Sequence, residues 1–205
     1  MPSTLDNLDR FRCTVLLPDT GTAELRVLRA EDAKLLGDYF TGLSAATRRL
    51  YAPHPFNRET ATAICAGLDP ARNLRFVAVT TDSLQPAIVA YIIVCLEARP
   101  GEARRYATYG IHLDPVSTCY LAPSVADAYQ SRGLGTALMR RILPWITWLG
   151  YTHLVLSGGT RAENHRAIRL YRKLGFRRAG GFRTEPAVDN HDMFLELSTS
   201  SVDGA

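Results

Sequence analysis

The segment Val125-Ala126-Asp127-Ala128-Tyr129-Gln130-Ser131-Arg132-Gly133-Leu134-Gly135-Thr136 limits the possible folds more than any other stretch of this chain. It leaves an apolar, strand-like run at 118–125. It then enters a stretch whose apolar residues, Leu134, Ala137, Leu138, Ile142, Trp145, Ile146 and Leu149, recur on one helical face until Gly150. A strand that turns through Gln-x-x-Gly-x-Gly into a helix excludes an all-α and an all-β architecture. The turn also has chemistry of its own. The first turn of a helix leaves backbone N–H groups unpaired and carries partial positive charge. Glycines let a phosphate approach that backbone closely, and Arg132 adds a full charge. No Gly-Lys-Ser/Thr follows, so this is not a Walker loop. The preceding strands read as antiparallel, so the βαβ unit of a dinucleotide fold is missing too. Taken alone, the motif describes a tight strand–helix turn equally well.

The rest of the chain reads as alternating short elements. A strand is predicted at 24–28, and a helix opens at Glu31 and Asp32, where acidic residues suit the positive helix end, and closes at Gly42. Ser44 is placed to cap a short helix to Leu50, and a third helix covers 59–67. Ala52-Pro53-His54-Pro55 reads as an irregular loop, because each proline restricts itself and its predecessor. The runs 75–80 and 87–96, rich in Val, Ile and Ala, predict an antiparallel hairpin in the core. Residues 104–113 read as an additional strand. Pro123 removes a ladder donor from 118–125 and predicts a bulge there. Pro144 predicts a kink in the following helix. A buried strand at 153–157, a helix at 164–174 and strands at 176–182 and 192–197 complete the series.

Composition narrows the function classes. At 205 residues, with 46% hydrophobic and 21% charged residues, the chain is an ordinary globular one that needs no disulfide or metal to fold. Residues 1–21 read as a loose arm, 22–198 as one domain and 199–205 as a short tail. The longest apolar run, 87–96, is too short for a bilayer span of about 20 residues. Asp6 and Asp9 argue against a signal peptide. A cytoplasmic protein without membrane partners is expected. The net charge is +4, and the arginines are scattered in pairs such as Arg104/Arg105 and Arg140/Arg141. A nucleic-acid binder would show a clustered stripe, so no nucleic-acid partner is expected. Cys13, Cys65, Cys95 and Cys119 have no ligand-like spacing and read as free thiols, with no metal site.

A second stretch gives the glycine turn its meaning. After the strand at 153–157 comes Asn164-His165-Arg166-Ala167-Ile168-Arg169-Leu170-Tyr171-Arg172-Lys173-Leu174-Gly175-Phe176. Asn164 can cap the helix, and Tyr171 lies two turns further along nearly the same face. The two stretches together resemble the GNAT-type N-acetyltransferase superfamily in its CoA-binding core. The first resembles its pyrophosphate loop and the second its Asn…Tyr-x-Lys-Leu-Gly-Phe element. The resemblance implies an α/β (α+β) fold with a mixed, mostly antiparallel sheet of six or seven strands, splayed at the CoA groove and flanked by helices. It implies acetyl-CoA as cosubstrate and a primary amine of a small molecule or a protein as acceptor. The backbone of Arg132, Gly133, Leu134, Gly135 and Thr136 would hold the pyrophosphate, with Gln130 and Ser131 shaping the entry. Val125 would pair with the pantetheine arm and the thioester carbonyl, Asn164 would bond the same arm, and Tyr171 would protonate the departing thiolate. Acceptor choice would fall to the first helices, the loop 51–57 and the segment 97–117, or to a homodimer interface.

The amine also needs a proton acceptor, since its pKa is about 10. Relatives often place a glutamate early in the strand before the phosphate loop. Here that strand has Tyr120 near the place and no carboxylate. Glu97 is the first candidate base, followed by Asp114, His112 and Tyr120. The missing carboxylate keeps a second reading open, a non-catalytic acyl-CoA-binding module of the same fold.

Overall fold

The computed structural model describes residues 7–197 apart from Thr20, Ala52, Ser83, Glu185 and Pro186. The tail at 199–205 lies outside the described residues. Among these, nine strands and six α-helices form a mixed α/β, mostly antiparallel structure. The span read as one domain divides into two compact units, the first made of residues up to 96 with 121–139, the second of 97–120 with residues from 140 onward.

In the first unit, β1 (Cys13–Leu16), β2 (Thr22–Val27), β3 (Asn73–Thr80), β4 (Ile88–Cys95) and the later part of β5 (Thr118–Val125) follow one another in that order across the sheet. The arm read as loose therefore contains an edge strand, with Val15 paired to Ala23. The predicted hairpin is present as β3 and β4, with Phe76 opposite Ile92 and a register shift between Ala78 and Val79. Every residue of β4 is buried, which is why its sequence is continuously apolar rather than alternating. Helices α1 (Ala33–Gly42), α2 (Ala45–Leu50) and α3 (Arg58–Ala66) complete the unit. Ser44 caps α2 as expected, accepting from the Thr47 N–H at 3.2 Å. Leu36, Phe40, Ala61, Val77 and Tyr91 form the center of its core. Asp32 does more than favor a helix end. It takes a two-pronged bond from buried Arg26 of β2 at 2.6 and 2.8 Å, and accepts the Arg29 N–H at 2.8 Å.

The second unit contains α4 (Pro100–Ala107), β6 (His153–Leu156), β7 (Thr160–Arg161), α6 (His165–Lys173), β8 (Arg177–Thr184) and β9 (Val188–Glu196). Strand β9 is its center, pairing antiparallel with β6, β7 and β8. The start of β5 lies beside β6, where the Thr152 and His153 N–H groups donate to Ser117 O at 2.9 and 3.1 Å. The strand expected at 104–113 is absent: residues 104–107 end α4, and a turn at 108–110 and irregular chain follow. Pro100 sits in the first helical turn with Glu102 after it, and Arg104 and Arg105 lie in the last turn, all favorable helix positions. Tyr106 and Tyr109 stand three positions apart, a helical spacing. Tyr106 is fully buried and donates to Met193 O at 2.9 Å. Gly180 is needed for close approach, because a Cβ there would meet the Tyr109 ring at 2.4 Å. Helix α5 (Leu134–Trp148) continues on both sides of Pro144. No helix among the described residues is long and apolar enough to cross a membrane.

Candidate active site

In the first unit the end of β5 is pinned from two sides. Ser124 Oγ donates to Tyr91 O at 3.1 Å and lies 2.7 Å from the Tyr39 hydroxyl, while the Ala126 N–H donates to Val89 O at 2.9 Å. The chain then makes a 3-10 turn over Asp127–Tyr129. Its first residue, Asp127, anchors the turn, a role that the sequence did not mark. The carboxylate accepts from the Ser44 N–H at 2.9 Å, Ser44 Oγ at 2.7 Å and Thr47 Oγ1 at 2.7 Å. Partial burial works against its charge, but these bonds prevail and hold its pKa below the ordinary aspartate value. Gln130 closes the turn by donating from Nε2 to Val125 O at 2.9 Å and to Thr47 Oγ1 at 3.0 Å. Val125 is thus half-buried with its carbonyl already engaged.

Beyond Gln130 the backbone alternates into the left-handed region, with Ser131 at φ 60° and Gly133 at φ 90°. Successive N–H groups in such a conformation converge on an anion. Ser131, Arg132 and Gly133 are exposed, and nothing lies within 4 Å of where a Cβ on Gly133 would be. The Ala137 N–H is the one that closes on Gly133 O, at 3.0 Å, so those of Leu134, Gly135 and Thr136 precede the helical bonding of α5. This cradle suits a pyrophosphate. The charge of Arg132 is directed elsewhere than expected. Its guanidinium pairs with Asp19 and donates to Ala128 O at 3.2 Å.

The loop after α2 packs as an aromatic cluster. The Tyr51 hydroxyl donates to Ala122 O of β5 at 3.0 Å, and Tyr51 stacks on Phe56 at 5.7 Å. His54 lies 5.0 Å from Phe40 and 5.9 Å from Tyr91, ring center to ring center, with Nδ1 2.8 Å from Pro55 O. Burial lowers its pKa, which favors the neutral ring.

In the second unit Asn164 caps α6, its side-chain oxygen accepting the Ala167 N–H at 3.2 Å. Tyr171 is buried and lies 5.4 Å from Phe176, ring to ring. Its hydroxyl makes no hydrogen bond among the described residues, and burial pushes its pKa far above the ordinary phenol value. Such a group keeps its proton until a strong base appears beside it. Glu97 is exposed, just beyond β4. Asp114 accepts from the Val116 N–H at 3.0 Å and Ser117 Oγ at 2.8 Å, which makes it a turn former with a lowered pKa. His112 is exposed, and the buried Tyr120 hydroxyl accepts the Arg99 N–H at 3.4 Å. Two buried carboxyls of this unit, Glu102 and Asp192, were marked by no sequence motif. Glu102 lies in α4, ahead of the strand expected at 104–113, where no element was expected. No group of three or more His, Cys, Asp or Glu among the described residues is placed to hold a metal.

The model of the Acetyltransferase (GNAT) family matches residues 45–176. No curated protein matches the chain. Among solved structures it is similar to the GNAT domain of S. lividans PAT, at 18% identity, covering 92% of this chain and 98% of that one, with a TM-score of 0.69. It is also similar to a ribosomal-protein-S5-alanine acetyltransferase from Vibrio fischeri, at 14% identity, 86% and 93% coverage and a TM-score of 0.69. A third is Mycobacterium smegmatis RimJ in complex with CoA-disulfide, at 16% identity, 90% and 86% coverage and a TM-score of 0.63. At these identities the likeness shows the fold.

Proposed function

Because this chain belongs to the acetyltransferase (GNAT) family, we propose that it transfers an acetyl group from acetyl-CoA to a primary amine of a small molecule or protein, in the cytoplasm. The observation that carries the reading is the exposed left-handed turn at Ser131 and Gly133 ahead of α5. Acetyl-CoA supplies the activated acetyl group. The backbone of Arg132, Gly133, Leu134, Gly135 and Thr136 binds its pyrophosphate, and Gln130 and Ser131 hold the turn open for it. The backbone of Val125 orients the pantetheine arm and steadies charge developing on the thioester oxygen. Asn164 bonds the arm from α6, and Tyr171 gives its proton to the departing thiolate. Orientation and charge stabilization then account for most of the acceleration, without a nucleophilic side chain. An acceptor that is a protein amino group is supported by the similarity to a ribosomal-protein acetyltransferase.

The alternative, a non-catalytic acyl-CoA-binding module, is favored by one observation. β5 carries no carboxylate and Glu97 is exposed. The test is thiol release from acetyl-CoA in the presence of spermidine, Nα-acetyl-lysine amide and a peptide with a free N-terminal alanine, with the products weighed by mass spectrometry. Transfer is expected to at least one of them. Tight acetyl-CoA binding with no acetylated amine supports the binding module, and no acetyl-CoA binding overturns both.

A further inference from the structure

Helix α6 gathers positive charge on one face. His165, Arg166, Arg169, Arg172 and Lys173 are all exposed, and the helix contains no acidic residue. At about 100° per residue these five fall within roughly one third of the helix circumference. Ile168 and Tyr171 are buried on the other side. Arginines elsewhere stand against carboxylates: Arg12 against Glu24, Arg58 against Asp38, Arg105 against Asp192 and Arg183 against Asp189. Arg166, Arg169, Arg172 and Lys173 pair with no carboxylate among the described residues. Their charges equal the chain's whole net charge of +4, so its remaining cations and acids balance. The field reaches the neighboring strands. Half-buried His191 of β9 has its pKa lowered by burial first, and then by Arg178 of β8 and Arg172.

Helix stability does not account for this pattern. His165 and Arg166 stand in the first turn, where the helix end is itself positive. Arg166 and Arg169, Arg169 and Arg172, and Arg169 and Lys173 are like charges three or four positions apart, and they repel. Arg172 and Lys173 alone gain from their place, in the last turn. A local rule broken without a local compensation points to a use for the face.

We propose that this face of α6 docks an acidic segment of a partner protein, an interaction that goes beyond acetyl transfer. A guanidinium fork matches a carboxylate with two parallel hydrogen bonds. Arg166, Arg169 and Lys173 form a row about 10 Å long, the reach of about three residues of extended chain. The face exposes no Phe, Tyr or Trp on which a base could stack. It is also small beside the roughly 600 Å² or more that even a single nucleic-acid-binding module buries. Carboxylates rather than nucleotides are therefore the fitting anions.

The experiment is fluorescence anisotropy with the full chain at low salt. The probes are labeled hexaglutamate, labeled hexaglutamine and a labeled oligouridylate, each with and without saturating acetyl-CoA. Hexaglutamate should bind and hexaglutamine should not, and the affinity should fall at high ionic strength. Arg169→Glu together with Arg172→Glu should weaken hexaglutamate binding about tenfold or more, the equivalent of two exposed ion pairs. Arg140→Glu together with Arg141→Glu removes the same charge from exposed positions of α5, and should change the affinity by less than about twofold. Substitutions at exposed helix positions leave the fold in place, which the melting temperature checks. Should the charge reversal not fold, Arg169→Gln with Arg172→Gln serves instead, with an expected loss of about threefold or more. Absence of hexaglutamate binding, or an unchanged affinity in the α6 variant, overturns the proposal. An equal loss in the α5 variant makes the attraction one of net charge and overturns it too. Displacement of hexaglutamate by acetyl-CoA assigns these cations to the cofactor, and tighter binding of oligouridylate assigns them to a nucleic acid; either result overturns the acidic partner. All of these outcomes are read by binding, so failure of the acetyl-transfer reading leaves them standing.

Discussion

The guanidinium of Arg132 is committed to Asp19, in the turn between β1 and β2, although it stands in the middle of the loop proposed to hold the pyrophosphate. The pair is substantially exposed on both sides, so it is worth about 0–1 kcal/mol. Asp19 thus holds a cation that, under the proposed function, the loop would otherwise present to a phosphate. Asp19→Asn is expected to tighten CoA binding by up to about fivefold at low salt, the affinity equivalent of that energy. The gain should vanish at high ionic strength, where exposed charges are screened. Calorimetric titration of CoA at two salt concentrations measures this. Unchanged affinity at low salt would mean that Arg132 has no part in binding. The cradle is written in the sequence as Gln-x-x-Gly-x-Gly, whereas Asp19 is over a hundred residues away and is not part of any motif.

At the scale of elements, two acids near helix starts behave in opposite ways. Asp32, before α1, is buried, which alone would raise its pKa. The Arg26 guanidinium and the Arg29 N–H outweigh this and hold it below the ordinary aspartate value. A depressed folded value means that its stabilization is present in full above the unfolded pKa of about 3.9. It is lost as pH falls through the lower folded value. Asp32→Asn leaves Arg26 buried without a counter-charge and is expected to cost about 3–5 kcal/mol at pH 7, with the difference from wild type shrinking as the pH falls below that range. Urea unfolding at pH 7 and at pH 3 tests it, and an equal loss at both would refute the electrostatic account. Glu102, at the start of α4, has the opposite shift. Its folded state is favored below the unfolded pKa, and that advantage disappears as pH rises through the folded value. The opening of α1 was legible as an acidic pair after an apolar strand. The start of α4 was not, because Pro100 and Glu102 mark a helix only once the following residues are known to be buried on a helical face.

For the whole molecule, acetyl-CoA binding should appear as stability. A ligand at a hundred times its Kd adds about 2.7 kcal/mol, which for a chain of this size raises the melting temperature by roughly 5–10 °C. Gly135→Glu puts a negative side chain in the first turn of α5 and should abolish that rise while leaving the unliganded melting temperature nearly unchanged. A full shift in the variant would place the cofactor away from this helix start. Most of the element order was legible beforehand: the hairpin of β3 and β4, the caps Ser44 and Asn164, and the strand–turn–helix from β5 to α5. The errors share a cause. The edge strand β1 has weak local patterning and exists through its pairing with β2, and α4 is amphipathic only with respect to a core that β9 supplies through Asp192 and Met193. Apolar period, glycine placement and capping residues are local, so the sequence by itself determined the α/β class, most of the order of the elements and the glycine turn between β5 and α5. The partners of charges are not local. Only the tertiary structure decided that Arg132 faces Asp19, that Arg105 satisfies Asp192, and that one oxygen of Glu102 is buried with nothing to bond.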